Sequence, residues 1–219
     1  MNGTHHARIE KIVNLFSREI FSDPADFNRF LQSMQEFNVA DPIGSIYEHC
    51  RVKVNSNFGS STSKIGKNKD SEPLVNIVAY CLNTNHYHFL LQQLSEKGIE
   101  KFMQRLGTGY TMYFNNKYHR TGALFQGRFK AVHINTNQYL LHVSAYVNLN
   151  DRVHQLGGST SKSSWNEYTE RLGTGGICGK EAVLGQFRKP EEYAVFAEDS
   201  LQGTLARRGL LDESMLLES

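Results

Sequence analysis

Apolar positions along the chain change their period several times, and each period predicts an element. Ile9, Ile12, Val13, Phe16 and Ile20 recur at helical spacing and predict an amphipathic helix at the start. Asp23 offers a cap and Pro24 a first-turn residue for a second helix that carries Phe27, Phe30, Leu31 and Met34 on one face. Residues 51–73 are rich in Ser, Asn, Lys and Gly and predict a mobile surface loop. Two short apolar runs then follow, Leu74 to Leu82 and His86 to Leu91, with Asn83, Thr84 and Asn85 between them, the pattern of a β-hairpin.

Ile99, Phe102, Met103, Leu106, Tyr110, Tyr113 and Phe114 return to helical spacing and predict a long helix. Gly107 and Gly109 cost that helix about 1 kcal/mol each, which a close backbone approach to the sheet would explain. Asn115 to Gly127 reads as a loop and Arg128 to Ile134 as a strand. Asn135 or Thr136 can cap a helix that runs through Tyr139, Leu140, Val143 and Val147 to about Asn150. Beyond Gly157 lie a Ser-rich stretch, Trp165 and Tyr168, a Gly-rich turn at Gly173 to Gly179, and two or three polar helices. The division expected is a domain over 1–157 with an insert at about 51–73, then a Ser/Gly-rich linker and helical extension over 158–219.

Composition narrows the class. With 39% apolar and 21% charged residues in 219, the chain excludes wholly disordered, collagenous and coiled-coil proteins. No apolar run approaches the roughly 20 residues of a bilayer span, and no secretory signal opens the chain, so a cytoplasmic protein without membrane contact is expected. Cys50, Cys81 and Cys178 form no CxxC pair and read as reduced thiols.

The formal charge of +2 conceals an uneven distribution. Residues 101–150 contain no Asp or Glu, although the chain has 22 of them, and they carry Lys101, Arg105, Lys117, Arg120, Arg128 and Lys130. Interleaved aromatic residues make this segment a candidate polyanion-binding face, cations on phosphates and rings on bases; a solvated basic helix over a buried aromatic stripe is the alternative.

Candidate chemistry lies on the second hairpin strand and the helix before Asn150. His86 and His88 flank Tyr87, so in a strand both imidazoles project from one face, about 7 Å apart at the backbone. They can share a metal ion, or be ordinary hydrogen-bonded residues beside a core. Tyr146 and Asn150 stand one helical turn apart on a stripe that His142 extends. Two imidazoles and a neutral amide leave a metal its full charge, suited to polarising a phosphate oxygen. A free phenol, with pKa about 10, needs positioning and a nearby cation to act as nucleophile; a packed tyrosine bonded to an amide or water is the alternative.

At these residues the sequence resembles the single-tyrosine HUH transposases of the insertion-sequence-200 type, including the REP-associated tyrosine transposases. The resemblance is carried by VAYCLNTNHYHFLL (78–91), FMQRLGTGYTMYFN (102–115), GALFQGRFKAVHI (122–134) and YLLHVSAYVNLN (139–150). It implies an α+β fold, an antiparallel sheet with packed helices in a ferredoxin-like or palm-like arrangement. It implies a divalent ion, Mg2+ or Mn2+, held by His86, His88 and Asn150, with Tyr146 as the nucleophile that nicks single-stranded, hairpin-containing DNA through a 5′-phosphotyrosine. The six basic residues named above become candidate DNA-backbone contacts, and a homodimer is an option. Two departures stand out: Asp151 follows Asn150 where the family commonly has Pro, and the family's opening strand has no equivalent in a helical 1–20, leaving an open sheet edge. A catalytically silent DNA- or RNA-binding relative is the alternative function, and a protein whose histidines hold a purely structural metal is a third.

Overall fold

The computed structural model describes residues 8–15, 18–41, 43, 46, 72–154, 161–169 and 176–217, with backbone alone from 208. Most of the expected insert, 51–71, and Cys50 lie outside the described residues. No helix among those described is long and apolar enough to cross a membrane.

The chain runs β1 (Ile9–Leu15), α1 (Pro24–Glu36), β2 (Val75–Asn83), β3 (His86–Gln93), α2 (Gly98–Lys117), β4 (Lys130–Ile134), α3 (Asn137–Asn148) and α4 (Asn150–Val153). Then come β5 (Ser161–Ser163), α5 (Trp165–Tyr168), α6 (Glu181–Leu184) and α7 (Pro190–Leu217). The sheet is antiparallel throughout, in the order β4-β1-β3-β2-β5. Its first four strands with α1 and α2 make the ferredoxin-like βαββαβ unit, and β5 adds a short strand at the outer edge of β2. The α+β antiparallel arrangement expected from the resemblance is therefore present.

The predicted N-terminal helix is not. Residues 9–15 form β1, paired with β3 on one side and β4 on the other. The apolar spacing misleads because β1 buries residues on both faces: Ile12 lies in the core shared with α1 and α2, while Ile9 packs against the core under α3. A strand covered on two sides need not alternate strictly, and β-branched Ile9, Ile12 and Val13 favour a pleat once two partner edges are available. The open sheet edge expected from a missing first strand is accordingly filled.

Helices cover both faces. Asp23 caps α1 in a reciprocal capping box with Asp26. Phe27, Phe30 and Met34 then meet Phe102, Leu106, Tyr110 and Phe114 of α2 over Tyr87, Phe89 and Leu91. Of Gly107 and Gly109, only Gly109 is required by close approach, and its neighbour is the Phe37 ring after α1 instead of the expected sheet; a Cβ there would collide with that ring. Gly107 has only ordinary contact distance to Phe125.

On the opposite face, α3 is capped by Thr136, whose Oγ1 accepts from the Tyr139 amide. Leu140, Val143 and Val147 pack on Val78, Cys81 and Leu90 and under Tyr193 and Ala197 of α7. Asn148 Nδ2 donates to Tyr193 Oη at 2.8 Å, and Ser164 Oγ donates to Asn148 Oδ1. Chain beyond 157 thus completes the core beneath the helix that carries Tyr146.

Candidate active site

The two-residue turn at Thr84 and Asn85 sets the register of β3 against β2, with Asn83 opposite His86 and Cys81 opposite His88. Tyr87 and Phe89 insert into the α1/α2 core, so His86 and His88 are turned to the α3 face. A slip of one residue would reverse both sets; the two aromatic anchors specify which face the imidazoles take.

The ring centroids of His86 and His88 are 5.1 Å apart. Tyr146, half-buried on α3, meets His88 edge-on, with centroids 5.6 Å apart and planes at 90°. An open cleft of about 550 Å³ lies in front, lined by Val13, Asn85, His86, His88, Tyr146 and His154. His154, which sequence reasoning did not single out, brings a third imidazole: possible ligand atoms of His86, His88 and His154 all lie within 4.8 Å of one another. Among the described residues no other His, Cys, Asp or Glu group converges this way.

Asn150 lies beside the cluster and is engaged with its neighbours. It is fully buried, and its Oδ1 accepts from Asn83 Nδ2 at 2.8 Å. The same Asn83 nitrogen lies 2.9 Å from His86 Nε2. As an amide nitrogen can only donate, His86 Nε2 is the acceptor, and its Nδ1 carries the proton toward Asn85 Oδ1 at 2.8 Å. Asn150 and Asn83 therefore orient His86, while Asn150 Nδ2 has no hydrogen-bond partner among the described residues. Tyr146, Asn150 and His154 form one stripe at four-residue intervals, unbroken across the short joint at Leu149. That interval was the signal for His154. The stripe's other extension, His142, points elsewhere, packing on Phe196 and bonding Ser200.

Electrostatics suit a cation-binding site. Burial, helped by neighbouring His86, Lys11 and His154, pushes the His88 pKa down to about 3. Burial and His154 lower that of His86, against an opposing contribution from Asn150. Both rings are held neutral, as metal ligation requires, and buried His88 Nδ1 has no partner among the described residues. Three imidazoles with an orphaned ring nitrogen fit a divalent ion. Asp151 is not part of the cluster; burial raises its pKa, and it interacts with Cys81 and Arg152.

The basic candidates are dispersed. Lys101, Arg105 and Lys117 lie on α2, which packs on the opposite face from the cleft. Arg105 donates to the Val39 and Ala40 carbonyls, and Lys117 pairs with Asp23 and Asp26. Arg120 donates to Asn115 and lies over the Phe114 ring. Arg128 and Lys130 are exposed, and Lys130, opposite Val13, shares the cleft's face of the sheet. Lys11 of β1, read from sequence as helical, sits with Nζ 4.2 Å from the centroid of the Tyr146 ring.

With the βαββαβ sheet, the histidine triad and the facing phenol described, comparison with known proteins shows what part of the chain is similar to. Residues 47–150, just under half of the chain, match the family model described as Transposase IS200 like. Among solved structures, a REP-associated tyrosine transposase bound to a REP hairpin is similar at 11% identity and a TM-score of 0.42, over 78% of this chain and 84% of that one. A search of curated proteins finds no match.

Proposed function

We propose that this protein is a metal-dependent endonuclease and strand transferase of single-stranded DNA, with Tyr146 as nucleophile and a 5′-phosphotyrosine intermediate. The observation that carries the reading is the seating of the Tyr146 ring against His88 in the cleft that also holds His86 and His154. We place His154 as third metal ligand, with Asn150 supporting His86 through Asn83. A divalent ion held by the three imidazoles would supply Lewis-acid polarisation of the scissile phosphate. The chain's own part is positional: α3 aims the phenol, and Asn85, accepting from His86 Nδ1, fixes the tautomer that leaves Nε2 as the ligating nitrogen, the Asn83 contact to Nε2 giving way when an ion binds. Tyr146 Oη bonds to phosphorus as the bond to the 3′-oxygen breaks; the phenol loses its proton and the departing oxygen leaves as a hydroxyl. Joining is the reverse reaction with another strand's hydroxyl, so the bond energy is conserved without a nucleotide cofactor.

The test is incubation of purified protein with labelled hairpin-bearing single-stranded DNA and Mn2+. Wild type should yield a covalent protein–DNA adduct and Tyr146→Phe none. Cleavage that survives Tyr146→Phe unchanged defeats the assignment. Salt-sensitive binding with no adduct under any divalent ion would leave the binding-only relative as the correct reading.

A further inference from the structure

Strand β1 places a cation on the cleft's face of the sheet, between two apolar neighbours. Lys11 lies between Ile9 and Val13, opposite Leu90 of β3 and Val132 of β4. It is half-buried, and no carboxylate pairs with it among the described residues. Burial lowers its pKa. A lysine at such a position ordinarily extends its stem along the apolar surface and sends its head to bulk water. Here the head stands 4.2 Å from the centroid of the Tyr146 ring. A cation over an aromatic face gains roughly 0.5–2 kcal/mol, more as water is excluded, which offsets part of the burial cost.

The phenol ring is thereby bracketed, Lys11 over its face and the His88 ring perpendicular to it. Two adjacent strands thus fix a side chain that α3 alone would leave free to turn about χ2. Val13, two residues along the same strand face, lines the cleft, so Lys11 stands at its border. A phosphate brought to Tyr146 Oη in the cleft comes within a side-chain swing of this ammonium.

We propose that Lys11 is the positioning cation of strand cleavage, holding the Tyr146 ring in its attacking orientation and setting permanent positive charge beside the phosphate it attacks. The proposal rests on Tyr146 being the nucleophile. In the step, the bond from Tyr146 Oη to phosphorus forms and the bond to the 3′-oxygen breaks. The phenol proton passes to solvent, and the departing oxygen takes one from solvent. Lys11 stays protonated throughout, its charge facing the anionic phosphate oxygens as negative charge builds on them.

Single-turnover adduct formation on labelled hairpin-bearing single-stranded DNA with Mn2+ tests this. Lys11→Met keeps the stem and removes the charge; its adduct-forming rate should fall about 100-fold, the scale of losing one preorganised electrostatic donor. Affinity for the same DNA should change by no more than about threefold, as one phosphate contact at most is lost. Lys11→Arg, which retains both the charge and the ring contact, should recover the rate to within about tenfold of wild type. Neither Mn2+ affinity nor melting temperature should fall below wild type in either variant. A wild-type rate in Lys11→Met overturns the proposal while leaving Tyr146 as nucleophile. So does an equal loss in Lys11→Arg, or a loss explained by a lowered melting temperature, since either marks a packing role. Absence of any adduct in wild type overturns the nucleophile assignment, and Lys11's role falls with it.

Discussion

His154 stands with its ring centroid 5.1 Å from that of His86, the planes inclined at 72°. One imidazole comes from the first residue of a strand and the other from the residue that closes α4, so the pair exists only if α3 and α4 lie correctly across the sheet. If His154 is a metal ligand, His154→Ala should weaken Mn2+ or Co2+ binding by more than the ~10–100-fold cost of losing an outer-sphere partner, whereas Asn150→Ala should stay within that range. Calorimetry or Co2+ absorption reads the difference directly. An Asn150→Ala variant that binds metal more weakly than His154→Ala would return the ligand role to the amide.

Local chemistry makes part of this legible in the sequence. Pro24 with Asp23 announces α1, the Asn83 to Asn85 turn announces the hairpin, and the alternation of His86, Tyr87 and His88 puts both imidazoles on one face. β1 was illegible because its partners are distant in sequence and its two buried faces imitate a helical spacing. Lys11 became invisible with it, since a site residue on an unrecognised strand has no face to be assigned to. Asn150 was legible as a site residue, but its hydrogen bond with Asn83, and through it the link to His86, depends on a strand residue distant in sequence and is seen only in the coordinates. His154 was legible in principle, one further interval down the Tyr146 stripe, past a helix joint that spacing alone does not reveal.

The C-terminal helix should matter to the stability of the site helix. Tyr193 Oη accepts from buried Asn148 and bonds Ser144, and its ring packs on Tyr168. Tyr193→Phe strands the Asn148 amide, an expected cost of about 1–3 kcal/mol. Tyr193→Ala adds a cavity and should cost about 3–5 kcal/mol in total. Thermal melts should rank wild type, Tyr193→Phe and Tyr193→Ala in that order; a Tyr193→Ala protein as stable as wild type would mean that α7 does not hold α3.

Metal-free protein should lose stability on mild acidification. Unfolding returns His88 to the ordinary imidazole value of about 6.5, whereas the folded site holds it near 3. Between those values the unfolded chain carries about one more proton on this side chain, so each falling pH unit favours unfolding by about 1.4 kcal/mol. The loss should begin as pH falls below about 6.5 and be complete near 3; above 6.5 His88 contributes no slope. His86 is shifted in the same direction. Denaturant midpoints from pH 7 to 4 should therefore fall less steeply in His88→Gln than in wild type. Parallel curves would mean that the folded ring titrates normally.

Metal preference follows from the third imidazole. Mg2+ binds through oxygen ligands and retained water, while imidazole nitrogen favours first-row transition ions. A site built from His86, His88 and an Asn150 oxygen could serve either Mg2+ or Mn2+. With His154 as third ligand in place of the Asn150 oxygen, the donor set is all nitrogen. Mn2+ or Co2+ should then support adduct formation at concentrations well below those at which Mg2+ does, and His154→Asp, which restores an oxygen donor, should narrow the gap. Titrating cleavage against each ion in both proteins decides the matter: equal Mg2+ and Mn2+ requirements in wild type would show that His154 leaves the coordination sphere when DNA is bound.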